Sequence, residues 1–248
     1  MQVVQDGHRI NYITAGKGEP LVLIPGHLQA AEDWVRWGYP ELLTDHFRLI
    51  ITDPLGYGYS DKPHTPASYT LTERTKHLDA VLDAEAVDAA HVWGYSLGAT
   101  IAEAFARLRP HRTRSIVLGG TLPGLKGVDR RNLWEPELGV YRSGDWERIW
   151  NEVLPFTSEE SKALFASRND PIACAASLEG SFDAFAAESA MPLPLLCYVG
   201  SGEWFWEGAR DVAQAAGGRF FPVAGADHPG AFGRADEVVP EVRVFLGA

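Results

Sequence analysis

The chain is poor in sulfur: two cysteines and two methionines in 248 residues. Cys174 and Cys197 are too few for a disulfide framework or a four-cysteine metal site. Cys197 lies in the apolar run Leu195-Leu196-Cys197-Tyr198-Val199, which predicts a buried structural thiol rather than a nucleophile. Positive charge is also scarce, with 22 Lys and Arg against 33 Asp and Glu and a formal net charge of −11. Such a chain repels polyanions. Its one basic stretch, Arg107, Arg109, His111, Arg112 and Arg114, is short, so neither nucleic acid nor an anionic membrane is an expected partner. No apolar run approaches the ~20 residues of a membrane-spanning helix. The first residues, Met1-Gln2-Val3-Val4-Gln5-Asp6-Gly7, lack the basic and apolar segments of a secretory signal, so the expected location is the cytoplasm. Internal repeats, low-complexity tracts, a phosphate loop and a dinucleotide fingerprint are missing too.

What is present is an alternation of two periodicities. Residues 2–5 and 9–14 flank Asp6-Gly7 and predict an antiparallel hairpin. Short apolar runs follow at 21–24, 47–52, 91–93, 115–118, 195–199 and 219–223, the pattern of strands buried on both faces. Between them lie helical patterns, among them 71–86, with Leu78, Val81 and Leu82 on one face, and 97–108. Strand and helix in alternation predict an α/β fold, a mostly parallel central sheet flanked by helices and entered through an antiparallel edge.

One stretch interrupts this rhythm, because far more residues separate the runs at 115–118 and 195–199 than a simple crossover needs. Residues 121–191 are therefore expected to form an inserted helical cap, with 1–120 and 192–248 as the core domain. Trp146, Ile149, Trp150 and Val153 make an apolar helix stripe within residues 145–154. Thr157-Ser158-Glu159-Glu160 has the form of a capping box, and Asp170-Pro171 that of an N-cap followed by proline at the first helical position.

The motif that carries chemistry is Gly94-Tyr95-Ser96-Leu97-Gly98. Gly-x-Ser-x-Gly alone is a weak signal, but here a strand run precedes it and a helix pattern follows. Those are the surroundings a strained nucleophile elbow requires. With that arrangement the chain resembles the α/β-hydrolase superfamily, in its capped serine ester hydrolase branch, and the resemblance extends over almost the whole sequence outside the cap. It implies Ser96 as nucleophile. Leu23-Ile24-Pro25-Gly26-His27, with Trp34 beyond it, is similar to the family's oxyanion-loop segment, although Pro25-Gly26 replaces the usual His-Gly pair. The resemblance thus implies the backbone amides of His27 and Leu97 as oxyanion donors. Asp53-Pro54-Leu55-Gly56-Tyr57-Gly58-Tyr59-Ser60 resembles the turn after the next strand and is read as structural, with Asp53 tying backbone amides.

Gly225-Ala226-Asp227-His228 resembles the catalytic histidine loop, which implies His228 as the base. The remaining histidines are read otherwise: His8, His46, His64, His77, His91 and His111 as solvated, and His27 as shaping the pocket. Gly200-Ser201-Gly202-Glu203 occupies the place of the family's acid, with Glu203 where aspartate is commoner and Glu207 and Asp211 as alternatives. Asp227, next to His228 in sequence, is poorly placed to reach around to the outer ring nitrogen. For a substrate, Tyr95, Trp134, Trp146 and Trp150 are candidate contacts. The insertion aromatics, Trp134, Trp146, Trp150, Phe156 and Phe165, could roof a pocket, but for most of them packing of the cap on the body is the expected role. Trp204 and Trp206 flank the expected acid.

These residues point to hydrolysis of a small carboxylic ester or related acyl compound with an apolar or aromatic acyl group, without metal or organic cofactor. A carbon–carbon bond hydrolase, or a cofactor-free perhydrolase or acyltransferase, would use similar machinery. A ligand receptor that retains an old site is the reading from outside enzymology. Serine at the elbow argues against the dehalogenases and epoxide hydrolases of this fold, which place aspartate there.

Overall fold

Strands β1 (Gln2–Gln5) and β2 (His8–Ala15) pair antiparallel across Asp6 and Gly7, both in the left-handed region at φ 50° and 81°. That backbone matches the twist of a two-residue hairpin, and glycine takes it without strain. This computed structural model describes residues 1–124, 127–154, 158–182, 191 and 193–248, and the side chains of all of these except 127–130 and 133. The remaining strands are β3 (Glu19–Ile24), β4 (Phe47–Thr52), β5 (Ala90–Tyr95), β6 (Thr113–Gly119), β7 (Leu195–Gly200) and β8 (Arg219–Val223). They form one eight-stranded sheet in the order β1-β2-β4-β3-β5-β6-β7-β8. β2 meets β4 antiparallel, and every pairing from β4 to β8 is parallel.

Period-two alternation divides each parallel strand between two cores. Leu21, Leu23, Leu49, Ile51, Val117 and Leu196 face one side, where α1 (Ala31–Arg36), α2 (Tyr39–Leu43), α10 (His228–Phe232) and α11 (Ala235–Leu246) cover them. Val22, Ile24, Ile50, Ile116, Leu118 and Cys197 face the other, against α3 (Leu71–Ala84), α4 (Leu97–Leu108) and α9 (Trp206–Ala215). Both faces are dry, which is why these strands are apolar runs.

Four described helices lie between β6 and β7: α5 (Gly127–Arg142), α6 (Trp146–Glu152), α7 (Glu159–Arg168) and α8 (Pro171–Gly180). They share an apolar cluster in which Leu138, Tyr141, Ile149, Trp150, Cys174 and Leu178 meet Leu28 and Tyr57 of the body. Asp145 caps α6 and Asp170 caps α8, with Pro171 at its first position as the sequence suggests. The cap of α7 is Ser158, whose hydroxyl accepts from the Ser161 amide; the capping box read from Thr157 is thus one residue out of register, and Thr157 itself lies outside the described residues. Arg168 and Asn169 fasten this segment to the body. Arg168 Nη2 donates to Asp33 Oδ2 at 2.8 Å and Asn169 Nδ2 to the Leu28 carbonyl at 2.9 Å.

Two histidines depart from the solvated reading. His77 is buried, because helical periodicity turns it onto the inner face of α3 beside Arg74, Leu78 and Val81. His91 is half-buried, with Nδ1 2.7 Å from Ser115 Oγ on the neighbouring strand.

Candidate active site

Ser96 joins β5 to α4 at φ 54° and ψ −117°, outside the regions an ordinary residue prefers. Its neighbours explain how that backbone is tolerated: a Cβ on Gly94 would stand 2.1 Å from the Gly98 carbonyl oxygen, and one on Gly98 2.1 Å from that of Ile24. Only glycine at both positions lets strand, elbow and helix approach so closely. The turn lifts the serine side chain out of the sheet.

His228 reaches the serine from the loop after β8. Its Nε2 lies 3.0 Å from Ser96 Oγ, and its Nδ1 lies 2.8 Å from Glu203 Oε1. The loops that carry acid and base are stitched together: Ser201 N donates to Val223 O, Gly202 N to Ala226 O and Gly225 N to Ser201 Oγ. Glu203 is therefore held at a fixed height beside the imidazole. The alternatives lie elsewhere, Glu207 and Asp211 on the exposed side of α9, with Asp211 paired to Arg210. Asp227 caps α10 by accepting from the Gly230 amide.

The segment after β3 is also constrained. Gly26 N donates to Gln29 Oε1 at 2.8 Å, and Leu28 takes φ 63°, a left-handed conformation costly for a branched side chain. No described hydrogen bond uses the amide of His27 or of Leu97. The His27 ring is packed edge-on against Tyr57 and Tyr141, with Nδ1 2.7 Å from Tyr57 Oη. Burial, and secondarily the charge of Arg74, push its pKa down to about 3, so the ring is neutral near pH 7.

Asp53 ties the turn after β4. It accepts from Ala31 N at 2.6 Å, Tyr59 N at 2.9 Å and Asn11 Nδ2 at 2.8 Å. Cys174 and Cys197 are buried, and burial raises both thiols far above their ordinary range.

Ser96, His228, Glu203, His27 and Leu97 all border one cavity of about 270 Å³. Its walls are mostly apolar, with Leu122, Trp134, Leu178, Phe182 and Phe205 among them, and carry the hydroxyl residues Thr100, Thr121 and Ser181. Of the four aromatics read as substrate contacts, Trp134 borders the cavity and the other three do not. Tyr95 points beneath the elbow, its hydroxyl donating to the His228 carbonyl at 2.5 Å and its ring against Phe232. Trp146 and Trp150 stack on each other at 4.7 Å, within the helical cluster, and Trp150 also meets Phe165. Phe156 lies outside the described residues. Leu122, Leu178, Phe182 and Phe205 were not singled out by the sequence, since nothing in their local pattern separates a cavity wall from ordinary core. Trp204, at the rim, is 78% exposed.

Among the described residues no cluster of three or more His, Cys, Asp or Glu is arranged to hold a metal ion, and no helix is long and apolar enough to cross a membrane.

Comparison with known proteins agrees with this architecture. Residues 19–183 match the model of a family described as the alpha/beta hydrolase fold. The chain is 34% identical over 122 residues to a 2-hydroxy-6-oxo-2,4-heptadienoate hydrolase of Pseudomonas putida, a match covering 48% of this chain and 44% of that protein. It is 35% identical over 134 residues to a 2-hydroxymuconate semialdehyde hydrolase of a Pseudomonas species, covering 52% and 47% respectively. The chain thus matches less than half the length of either relative. In fold it resembles the enol-lactonase of Burkholderia xenovorans, with a TM-score of 0.85 and 23% identity over the full length of both chains. The protein belongs to the α/β-hydrolase fold family.

Proposed function

We propose that the protein is a serine hydrolase that cleaves a small, uncharged carboxylic ester through an acyl-enzyme. The observation that carries this reading is the line Glu203–His228–Ser96, with separations of 2.8 and 3.0 Å, opening into a largely apolar cavity. His228 takes the Ser96 proton as Oγ attacks the acyl carbon. Glu203 holds the imidazole with its free nitrogen toward the serine and offsets the charge of the imidazolium. The amides of His27 and Leu97 receive the oxyanion, the latter at the N-terminus of a twelve-residue helix whose dipole favours negative charge. His228 then protonates the leaving alcohol, and water repeats the sequence on the acyl-enzyme.

Residues 121–191 act in this reading as a cap that roofs the cavity and sets acyl size through Trp134, Leu178 and Phe182. A volume of about 270 Å³ is at the small end for organic ligands.

The two Pseudomonas relatives favour a second reading, hydrolysis of a carbon–carbon bond beside a carbonyl. Against it, a dienoate substrate carries a carboxylate, and no Lys or Arg is among the described residues that line the cavity. A turnover screen of p-nitrophenyl esters of graded acyl length, run beside a vinylogous diketone and with Ser96→Ala as control, separates the two. Ester turnover that persists in folded Ser96→Ala would end the serine mechanism, and diketone cleavage without ester cleavage would select the second reading.

A further inference from the structure

Behind the loop that carries His27 runs a buried chain of hydrogen bonds that neither the triad nor the cavity needs. Arg74, on α3, is 2% exposed, and among the described residues it has no carboxylate within ion-pair distance. Its Nε donates to the Tyr69 carbonyl at 3.1 Å, Nη1 to that of Leu55 at 3.3 Å, and Nη2 to Ser177 Oγ at 2.5 Å. Ser177 belongs to α8, and its Oγ lies 2.6 Å from Tyr57 Oη, which in turn lies 2.7 Å from His27 Nδ1. The line begins on a core helix, passes through a helix of the insertion, and ends on the residue whose amide faces the serine in the proposed mechanism.

One direction gives both hydroxyl protons of the line an acceptor within it. A guanidinium has donors and no acceptor, so Ser177 Oγ accepts from Arg74. Among the described residues the Ser177 hydroxyl proton then has Tyr57 Oη as its acceptor, and the Tyr57 proton goes to His27 Nδ1. In that direction the neutral imidazole carries its proton on Nε2, a buried atom with no hydrogen-bond partner among the described residues. Hydrogen bonds aligned in one direction polarise each other, here with a full positive charge at their head. A buried cation without a counter-ion is costly in a low dielectric unless a negative charge forms nearby. In the serine mechanism one does form, at the amide of His27.

We propose that Arg74, Ser177 and Tyr57 are positioning residues for acyl transfer: they hold His27 and its amide at the oxyanion, and Arg74 supplies positive potential to the charge that develops there. The inference rests on the serine hydrolase reading. It also couples the insertion to the chemistry, since Ser177 moves with α8. A chain that only tied α8 to the body would alter stability and substrate affinity but not the charge-forming step.

The test measures the second-order rate at which a fluorophosphonate modifies Ser96, which needs no knowledge of the natural ester, together with kcat and KM on p-nitrophenyl acetate. Tyr57→Phe and Ser177→Ala should each lower labelling rate and kcat by about ten- to a hundredfold, with KM within about twofold of wild type. Arg74→Gln should match them, and Arg74→Lys should recover most of that loss by keeping the charge. Wild-type labelling and kcat in folded Tyr57→Phe and Ser177→Ala would overturn the proposal, as would equal losses in Arg74→Lys and Arg74→Gln. If Arg74→Gln does not fold, the two variants that each remove one oxygen decide the matter. Absence of labelling in the wild-type protein would refute the serine hydrolase reading itself, and the inference with it.

Discussion

Glu203 Oε1 lies 2.8 Å from His228 Nδ1, although Asp227 is the carboxylate adjacent to that histidine in the chain. The two acids have divided tasks, one facing the imidazole and the other capping α10. Glu203→Gln should therefore keep the fold and lower kcat/KM by as much as ~10⁴, because the amide loses the charge and permits the wrong tautomer. Asp227→Ala should cost about 1 kcal/mol of stability through loss of the cap and leave much more activity. Paired kinetics and thermal melts of the two variants check this, and near-wild-type turnover in Glu203→Gln would remove Glu203 from the mechanism.

The sequence reveals whatever repeats locally. Strand 219–223 and helix 97–108 are legible to the residue because apolar runs and helical stripes are local, and the elbow because its glycines answer a local crowding. Tyr57, Ser177 and Arg74 are silent for the opposite reason: Tyr57 and Ser177 are 120 positions apart, and Arg74 and Ser177 103, so only the assembled fold brings them together. The Trp146–Trp150 stripe shows which helix face is buried but not what it meets, and it meets its own cluster rather than the cavity. His77 has polar neighbours in sequence, yet helix geometry outweighs them. Glu203 and Glu207 are separated as candidates only by the stitching between the two loops.

Trp204 exposes an unusually large apolar surface beside the residue that holds His228. In the proposed mechanism His228 delivers its proton to the leaving group, which would place the indole where an aryl alcohol departs. Trp204→Ala should raise KM several-fold for aryl esters and leave the methyl ester of the same acid unchanged. Equal effects on both esters would show that the indole does not contact the leaving group.

Arg168 and Asp33 form a buried ion pair between α7 and α1, at 2.8 Å. Burial outweighs the pull of the Ala30 amide and of Arg168, so the Asp33 carboxyl is raised above its usual range and depends on its partner for its charge. Arg168→Met should cost about 3 kcal/mol, since it strands a buried carboxylate, whereas Arg168→Met with Asp33→Leu should recover part of that loss. Denaturant unfolding of the single and double variants measures the difference. If this pair holds the helical segment over the cavity, limited proteolysis of Arg168→Met should cut between 121 and 191 before the core. Simultaneous cleavage throughout would show that the segment does not open as a unit.

Among the ionisations that couple stability to pH, those of His77 and Glu137 run in opposite directions, and His27, pushed down to about 3, adds to the loss on the acid side. Burial, then the charge of Arg74, pushes His77 down to about 4 from an unfolded value near 6.5. The folded protein holds it neutral, so its contribution is fully present above pH 6.5 and is lost as pH falls toward 4, about 3 kcal/mol in all. Glu137, on α5, runs the other way. Desolvation raises its carboxyl to about 7, so stability is lost as pH rises from about 4.5 to 7. Because Glu137 is partly open to solvent, about 1 kcal/mol is the expected size of that loss. Glu137→Gln should therefore stabilise the protein at pH 8 by about 1 kcal/mol and change little at pH 4. His77→Leu should flatten the fall in stability between pH 6.5 and 4, whatever it does to packing at pH 8. Urea midpoints for wild type and both variants across this range separate the terms, because a pure packing effect shifts each curve without changing its slope. A Glu137→Gln curve parallel to wild type from pH 4 to 8 would show that this carboxyl titrates normally, and an unchanged slope in His77→Leu would place the acid sensitivity elsewhere.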